Sequence, residues 1–249
     1  MVGNHPFYKP AVTFSINKSD FVTCVSNSLR DDTREFFGIK REIEVIPNFV
    51  DIEKYGKKHL LCERNMIAQG DEKIIVHISN FRPLKRIIDV LKIFSRISKK
   101  INSKLIMVGD GPDKKKAKDF LRKNDLKNKV IFLGKTNEVD EILCSSDLFL
   151  LPSEKESFGL AALEAMALKV PVIYSNVGGL KELNINGNSG YTSEVGDIES
   201  MANNAIEILS NEKLENKFKT QAFENAKKYD INKVIPLYEA IYKRAIKKS

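Results

Sequence analysis

The stretch "DLFLLPSEKESFGLAALEAMALKVPVIYS", residues 147–175, decides the fold. It opens on an apolar run, breaks at Pro152 into a polar loop, and turns at Gly159 into a small-residue segment. After Lys169 it closes on a second apolar run. Short continuous apolar runs bounded by loop residues fit strands buried on both faces, as in a parallel sheet covered by helices. Parallel neighbours need a crossover, and the small-residue segment supplies a helical one.

The same alternation extends outward. "KIIVHIS" (73–79), "KLIMVG" (104–109) and "KVIFLG" (129–134) join "DLFLLPS" (147–153) and "VPVIYS" (170–175) as strands. Helices are predicted over 84–99, 113–124, 137–145 and 159–168. Short strand, helix, short strand, repeated, predicts an α/β domain with a doubly wound, Rossmann-like parallel sheet. Beyond residue 176 lie the pair Gly178–Gly179, a weak strand at Gly190–Thr192, and amphipathic helices at about 197–210, 213–228 and 231–247.

The front end differs. "FVTCVS" (21–26) and "EIEVIPN" (42–48) are strand-like, and Ser26 is placed to cap a helix "NSLRDDTREFF" that stops at Gly38. So few elements cannot cover both faces of a sheet. Residues 51–72 are polar without sustained periodicity and read as a linker. The expected organisation is the tail end of one α/β domain (1–50), a linker (51–72), a complete Rossmann-like domain (73–230) and a terminal helix (231–249) packing back on the amino-terminal part.

Composition narrows the class. A chain of 249 residues, 42% hydrophobic and 30% charged, is globular and long enough for a sizeable core. It holds no apolar run near the roughly 20 residues that span a bilayer, and residues 1–20 lack a signal-peptide core. Cys24, Cys62 and Cys144 are odd in number and widely spaced, so they read as reduced thiols of a cytoplasmic protein. His5, His59 and His77 show no ligand spacing, and no metal is expected. The net charge of +8 comes from scattered lysine pairs and one triplet, which fit a solvated surface or one facing phosphates or lipid head groups. No aromatic-interleaved basic stripe marks a nucleic-acid partner.

Two acids carry the functional question. On a helix advancing about 100° per residue, Glu164 lies about 40° from Leu160, between Ala167 at about 340° and Leu168 at about 80°, within the apolar stripe. An ionised carboxylate there needs a partner. Either a basic side chain or backbone turn of the protein supplies it, or the hydroxyls of a ligand do, as acids grip ribose diols in α/β folds. Glu156 tips the balance. It falls in the loop at the carboxyl end of a strand, where open α/β sheets bind ligands. Ser157, Phe158, Gly159 and Leu160 follow with backbone N–H groups at a helix start, and Gly159 leaves room for a phosphate. Arg82 and Lys85 come after another strand at the same sheet edge, where cations suit a diphosphate leaving group; a solvated helix start with incidental bases is the alternative. Gly109 and Gly111 in "VGDGP" form a strand-to-helix turn, though Gly109 also permits close approach of a nucleotide. Gly134 and Lys135 stand at the next strand end, as a turn or as neighbours of a base. His77, in mid-strand, reads as core.

The spacing Glu156-x7-Glu164, with "VPVIYSNVGGLKEL" after it, resembles the retaining glycosyltransferases of family 4, of the GT-B type. The likeness covers nearly all of 73–210. Together with "PFYKPAVTFSINKSDFVTCVS", "EVIPNFVD", "ISNFRPLKR" and "VGDGP", it is closest to members that transfer N-acetylglucosamine from UDP-GlcNAc to L-malate in bacillithiol biosynthesis. The resemblance implies that Glu164 holds the ribose hydroxyls and Glu156 contacts the donor sugar. It implies that the amides of Ser157 to Leu160 meet sugar and diphosphate, while Arg82 and Lys85 neutralise the leaving group. Many members carry Arg where this chain has Asn80, so Arg82 is assigned that charge. The implied substrates are a UDP-sugar donor and a small hydroxy-acid acceptor, with no cofactor and no metal. The family's amino-terminal glycine loop and acceptor pocket have no counterpart here, so the expectation is a donor-binding part that acts with a complementing amino-terminal domain or as a homo-oligomer.

Overall fold

The computed structural model describes residues 6–57, 62, 64–183 and 186–248 of the chain. The amino-terminal part holds α1 (Lys9–Lys18), β1 (Thr23–Cys24), α2 (Asn27–Phe37) and β2 (Glu44–Val45). β1 and β2 pair in parallel as a two-stranded sheet. Ser26 caps α2 by accepting from the Leu29 amide at 3.1 Å, and Gly38 ends the helix in the left-handed region at φ 65°. The expected linker carries two short helices, α3 (Ile52–Lys57) and α4 (Arg64–Ile67).

Next come β3 (Lys73–Ile78), α5 (Ile87–Ile97), β4 (Ser103–Val108), α6 (Lys114–Lys123), β5 (Val130–Gly134), α7 (Val139–Cys144), β6 (Leu148–Leu151), α8 (Leu160–Ala167), β7 (Val172–Ser175), α9 (Leu180–Leu183) and β8 (Gly190–Ser193). These six strands form one parallel sheet in the order β5-β4-β3-β6-β7-β8. The order runs outward from β3 in one direction and from β6 in the other, which is the doubly wound arrangement with its switch point between β3 and β6. α10 (Ile198–Ser210), α11 (Glu212–Ala226) and α12 (Ile231–Lys248) complete the chain.

Alternate residues of the central strands feed two cores. Ile74, Val76, Phe149 and Leu151 pack on α8 and α11, whereas Ile75, Leu105, Leu148 and Leu150 pack on α5 and α10. All eight are at most 2% exposed, so each contributes roughly 1.5–3 kcal/mol of transfer free energy. His77 belongs to this interior: its Nδ1 lies 2.8 Å from the Leu150 carbonyl and its Nε2 2.8 Å from Ser79 Oγ. The carboxylate of Asp147 accepts from the Ile74 amide at 2.7 Å and from Arg64 at 2.8 Å, which ties α4 to the sheet. A third cluster, of Ile46, Val234 and Ile241 with Phe21 and Phe49, joins α12 to the amino-terminal part, and Arg244 pairs with Glu44.

Two expectations change. α5 starts at Ile87, because Pro83–Lys85 form a 3-10 turn and Arg86 adopts a left-handed φ of 51°. Lys85 therefore sits on a tight turn, ahead of the helix. Cys62 and Cys144 are joined by a disulfide with Cα atoms 5.7 Å apart, so the expectation of three reduced thiols is corrected; Cys24 is free. Separation by 82 residues along the chain is no bar once the segment before β3 folds back against the end of α7. His5 and His59 lie outside the described residues.

Candidate active site

The loops after β3 and β6 meet at the switch point, where the Glu154 amide donates to the Leu84 carbonyl at 2.8 Å. A cavity of about 450 Å³ opens beside them. Asn80, Arg82 and Lys85 line one side, Glu156 and Ser157 the next, and Ser28, Leu29 and Asp32 of α2 the opposite wall.

Lys85 pairs with Glu156, and Ser153 Oγ donates to the same carboxylate oxygen at 2.9 Å. The two side chains are only 21% and 11% exposed, so each charge depends on the other. Arg82 lines the same cavity and makes no ion pair among the described residues. Arg86, which the sequence reading passed over, holds Asp89 at 2.5 Å and reaches Glu154 at 3.8 Å.

The loop from Glu156 to Gly159 is shaped by its neighbours. Gly159 sits at φ 98°, and a β-carbon there would stand 2.3 Å from Leu180 Cδ2. At Gly178 and Gly179 a β-carbon would come within 2.0 Å of the Glu156 carbonyl oxygen and 2.3 Å of that of Ser157. The pair is thus a close backbone contact against the loop, and the Gly179 amide donates to the Glu156 carbonyl at 3.0 Å. Among the described residues, the amides of Ser157, Phe158, Gly159 and Leu160 meet no protein acceptor, and they open the first turn of α8. Such a turn favours an anion through its free N–H groups and its dipole.

Glu164 is placed differently from the helical projection. Leu160, the reference residue of that projection, is 42% exposed; the buried residues of α8 are Ala162, Leu163, Ala165, Met166 and Ala167. Glu164 is half-buried on the flank of the helix. Burial raises its pKa above the ordinary value, Lys54 opposes the rise, and Asp140 adds to it. No hydrogen bond to its carboxylate is found among the described residues. Tyr55 of α3 lies beside it, its hydroxyl pushed up to about 12 by burial and by the charges of Glu164, Asp140 and Asp51. Sequence reading missed Lys54 and Tyr55, because they sit in a helix too short to show a period.

At the far end of the edge, Gly109 and Gly111 are explained by packing. Added β-carbons would lie 1.8 Å from the Ser79 carbonyl oxygen and 2.1 Å from that of Asn80. The Gly109 amide donates to the Gly134 carbonyl at 2.7 Å, while Gly134 itself has open space where a side chain would stand. Lys135 is exposed beside it and helps, after Lys114 and the Gly111 amide, to hold the Asp110 carboxyl below its ordinary pKa. The structure therefore gathers Arg82, Lys85, Glu156 and the amides of 157–160 at the switch point, with Glu164 one turn further along α8. Gly109, Gly134 and Lys135 stand at the ends of β4 and β5. Among the described residues no group of three or more His, Cys, Asp or Glu side chains could hold a metal ion, and no helix is long and apolar enough to cross a membrane.

A doubly wound parallel sheet with flanking helices, as in GT-B folds, carries these loops at its switch point, and the family comparison agrees with that fold. Residues 63–225 match the family described as Glycosyl transferases group 1, and residues 3–54 match Glycosyltransferase Family 4. The chain belongs to the group 1 glycosyl transferases. Among curated relatives it is similar to the N-acetyl-alpha-D-glucosaminyl L-malate synthase of Bacillus anthracis, with 39% identity over 244 residues. That match takes in 97% of this chain and 64% of the relative, so the chain spans less than two thirds of that protein's length. Solved structures share the fold. Sucrose-phosphate synthase from Thermosynechococcus elongatus superposes with a TM-score of 0.89 at 20% identity, over 98% of this chain and 62% of that one. Anabaena Alr3699/HepE, in complex with UDP and glucose, gives 0.87 at 20% identity, over 95% and 67%.

Proposed function

We propose that this chain is the donor-binding part of a retaining glycosyltransferase that moves N-acetylglucosamine from UDP-GlcNAc to L-malate, in cytoplasmic bacillithiol biosynthesis. One observation carries the reading: Arg82, Lys85 and Glu156 line one cavity at the sheet's switch point with Ser157, the first of four successive residues whose amides meet no protein acceptor among the described residues. In this reading the amides of Ser157 to Leu160 take the diphosphate. Arg82 and Lys85 neutralise the charge that grows on it as the glycosidic bond breaks. Glu164 accepts from the ribose hydroxyls, and the nucleotide base extends toward Gly109, Gly134 and Lys135. Glu156, fixed by Lys85 and Ser153, accepts from hydroxyls of the sugar. The departing diphosphate assists removal of the acceptor proton on the same face of the sugar, so configuration is retained without a protein nucleophile. The identity to the Bacillus anthracis enzyme supports this choice of sugar and acceptor.

Calorimetric titration with UDP-GlcNAc and with GDP- and ADP-linked sugars tests the donor. Binding of the UDP-linked sugar is expected, and preference for another base refutes it. A second reading is a nucleotide-sugar binding module without transfer of its own. Holding donor and acceptor together supplies on the order of 7–11 kcal/mol in favourable cases, so a chain lacking acceptor contacts loses most of its rate. UDP-GlcNAc binding without product from malate supports that reading, and glycosylated malate formed by this chain alone excludes it.

A further inference from the structure

The sequence after the glycine pair, "GGLKEL", contains an acid that the donor site does not use. Glu182 lies on α9, yet its carboxylate reaches back to the start of α2. Oε2 accepts from the Asn27 backbone amide at 3.0 Å and from Asn27 Nδ2 at 2.8 Å, while Oε1 accepts from the Ser28 amide at 2.8 Å. The first three amides of α2 are thereby satisfied, two by Glu182 and the third by Ser26. A helix start leaves such donors open, and a carboxylate there also meets the positive end of the dipole. The partners are 154 and 155 residues apart in the chain, so this is a contact between the two sides of the cavity.

The contact continues directly into the anion loop. The Glu182 amide donates to the Gly179 carbonyl at 3.1 Å, and the Gly179 amide donates to the Glu156 carbonyl at 3.0 Å. On the other flank, Ser26 Oγ donates to the Ser157 carbonyl at 2.6 Å. Tyr229 braces α9 from behind: its hydroxyl donates to the Glu182 carbonyl at 2.9 Å and its ring packs edge-on against Phe158. Gly178 and Gly179 touch the loop through backbone, and the side chains of Leu180 and Leu183 on α9 pack against Gly159.

The geometry points to Glu182 as a positioning residue, which fixes the α2 wall of the cavity (Ser28, Leu29 and Asp32) against the loop that meets the donor. The inference rests on the proposed donor site for what the loop binds, and on the hydrogen bonds alone for what holds α2. Occupancy of the loop would then be felt at α2, whose Ser28, Leu29 and Asp32 line the same cavity.

Hydrogen exchange read by mass spectrometry, on the whole chain with and without UDP, tests it in wild type, E182A and the conservative E182Q. Without ligand, the Asn27 and Ser28 amides are expected to exchange about tenfold faster or more in E182A, with E182Q between, since its amide oxygen still accepts from one of them. UDP affinity should stay within about threefold in both variants, because none of the groups facing the diphosphate is altered. UDP should add protection over residues 27–32 in wild type and not in E182A. Unchanged exchange at Asn27 and Ser28 overturns the inference. So does UDP-induced protection of 27–32 that is absent from wild type or equal in E182A. Failure of wild type to bind UDP refutes the donor reading instead, and the ligand-free comparison still decides whether Glu182 holds α2.

Discussion

Replacing Glu164 separates stability from binding. Its carboxylate is half-buried, with Lys54 as the only opposing charge and no hydrogen-bond donor among the described residues. A carboxyl whose folded pKa is raised prefers to be protonated in the fold, so the ionised form is a cost at neutral pH. That cost is absent below the ordinary value of 4.5 and fully present once the pH exceeds the raised folded value. Glu164→Gln should therefore leave the melting temperature at pH 7 unchanged or higher, and the difference should vanish in acid. Binding goes the other way. In the proposed site, two charge-assisted hydrogen bonds from ribose hydroxyls to Glu164 would contribute roughly 1.5–3 kcal/mol each. Glutamine keeps one neutral acceptor and loses about half of the total, weakening UDP roughly tenfold to a hundredfold. Glu164→Ala should lose more. Calorimetric titration of UDP beside thermal melts reads both effects. Weakened folding together with UDP affinity within threefold of wild type would mean that the carboxylate has its partner inside the protein.

Lys85→Ala leaves Glu156 partly buried without its cation, and should lower stability by roughly 3 kcal/mol and weaken UDP; adding Glu156→Gln should restore stability in urea melts but not affinity. Thiol titration of the unfolded chain should count one free cysteine before reduction and three after it, with reduction lowering the melting temperature, because the bridge closes an 82-residue span worth about 4 kcal/mol of chain entropy. His77 is held neutral by burial, with its pKa lowered to about 4. The unfolded chain takes up a proton between 6.5 and that value, so this group's stability is lost as pH falls through the window, by about 2 kcal/mol between pH 7 and pH 5. Urea melts at the two pH values check this, and His77→Gln should flatten the difference.

Five strands of the large sheet were legible as short apolar runs bounded by loop residues and the sixth, β8, only weakly, and every one was placed within two residues of its observed limits. Ser26 and Gly38 bounded α2 because capping is local chemistry. What escaped the sequence was long-range or too short to repeat. α3 spans six residues and α9 four, less than two turns of any period. The Glu182 contact and the Cys62–Cys144 bridge join residues that only the fold brings together. Glu164 was misplaced for a subtler reason. An apolar stripe drawn from composition cannot tell Leu160, which is exposed, from Leu163, which is buried in the core.

Among the described residues no α12 side chain lines the cavity, yet the helix supports the part of the chain that carries one of its walls. Ile231 donates to Val50 across an isolated bridge at Asp230, and the helix then packs on Phe21, Ile46 and Phe49, which flank β1 and β2. The tail is therefore a splint for the front of the molecule. Shortening the chain at its far end should loosen the amino-terminal part while the six-stranded sheet keeps its packing.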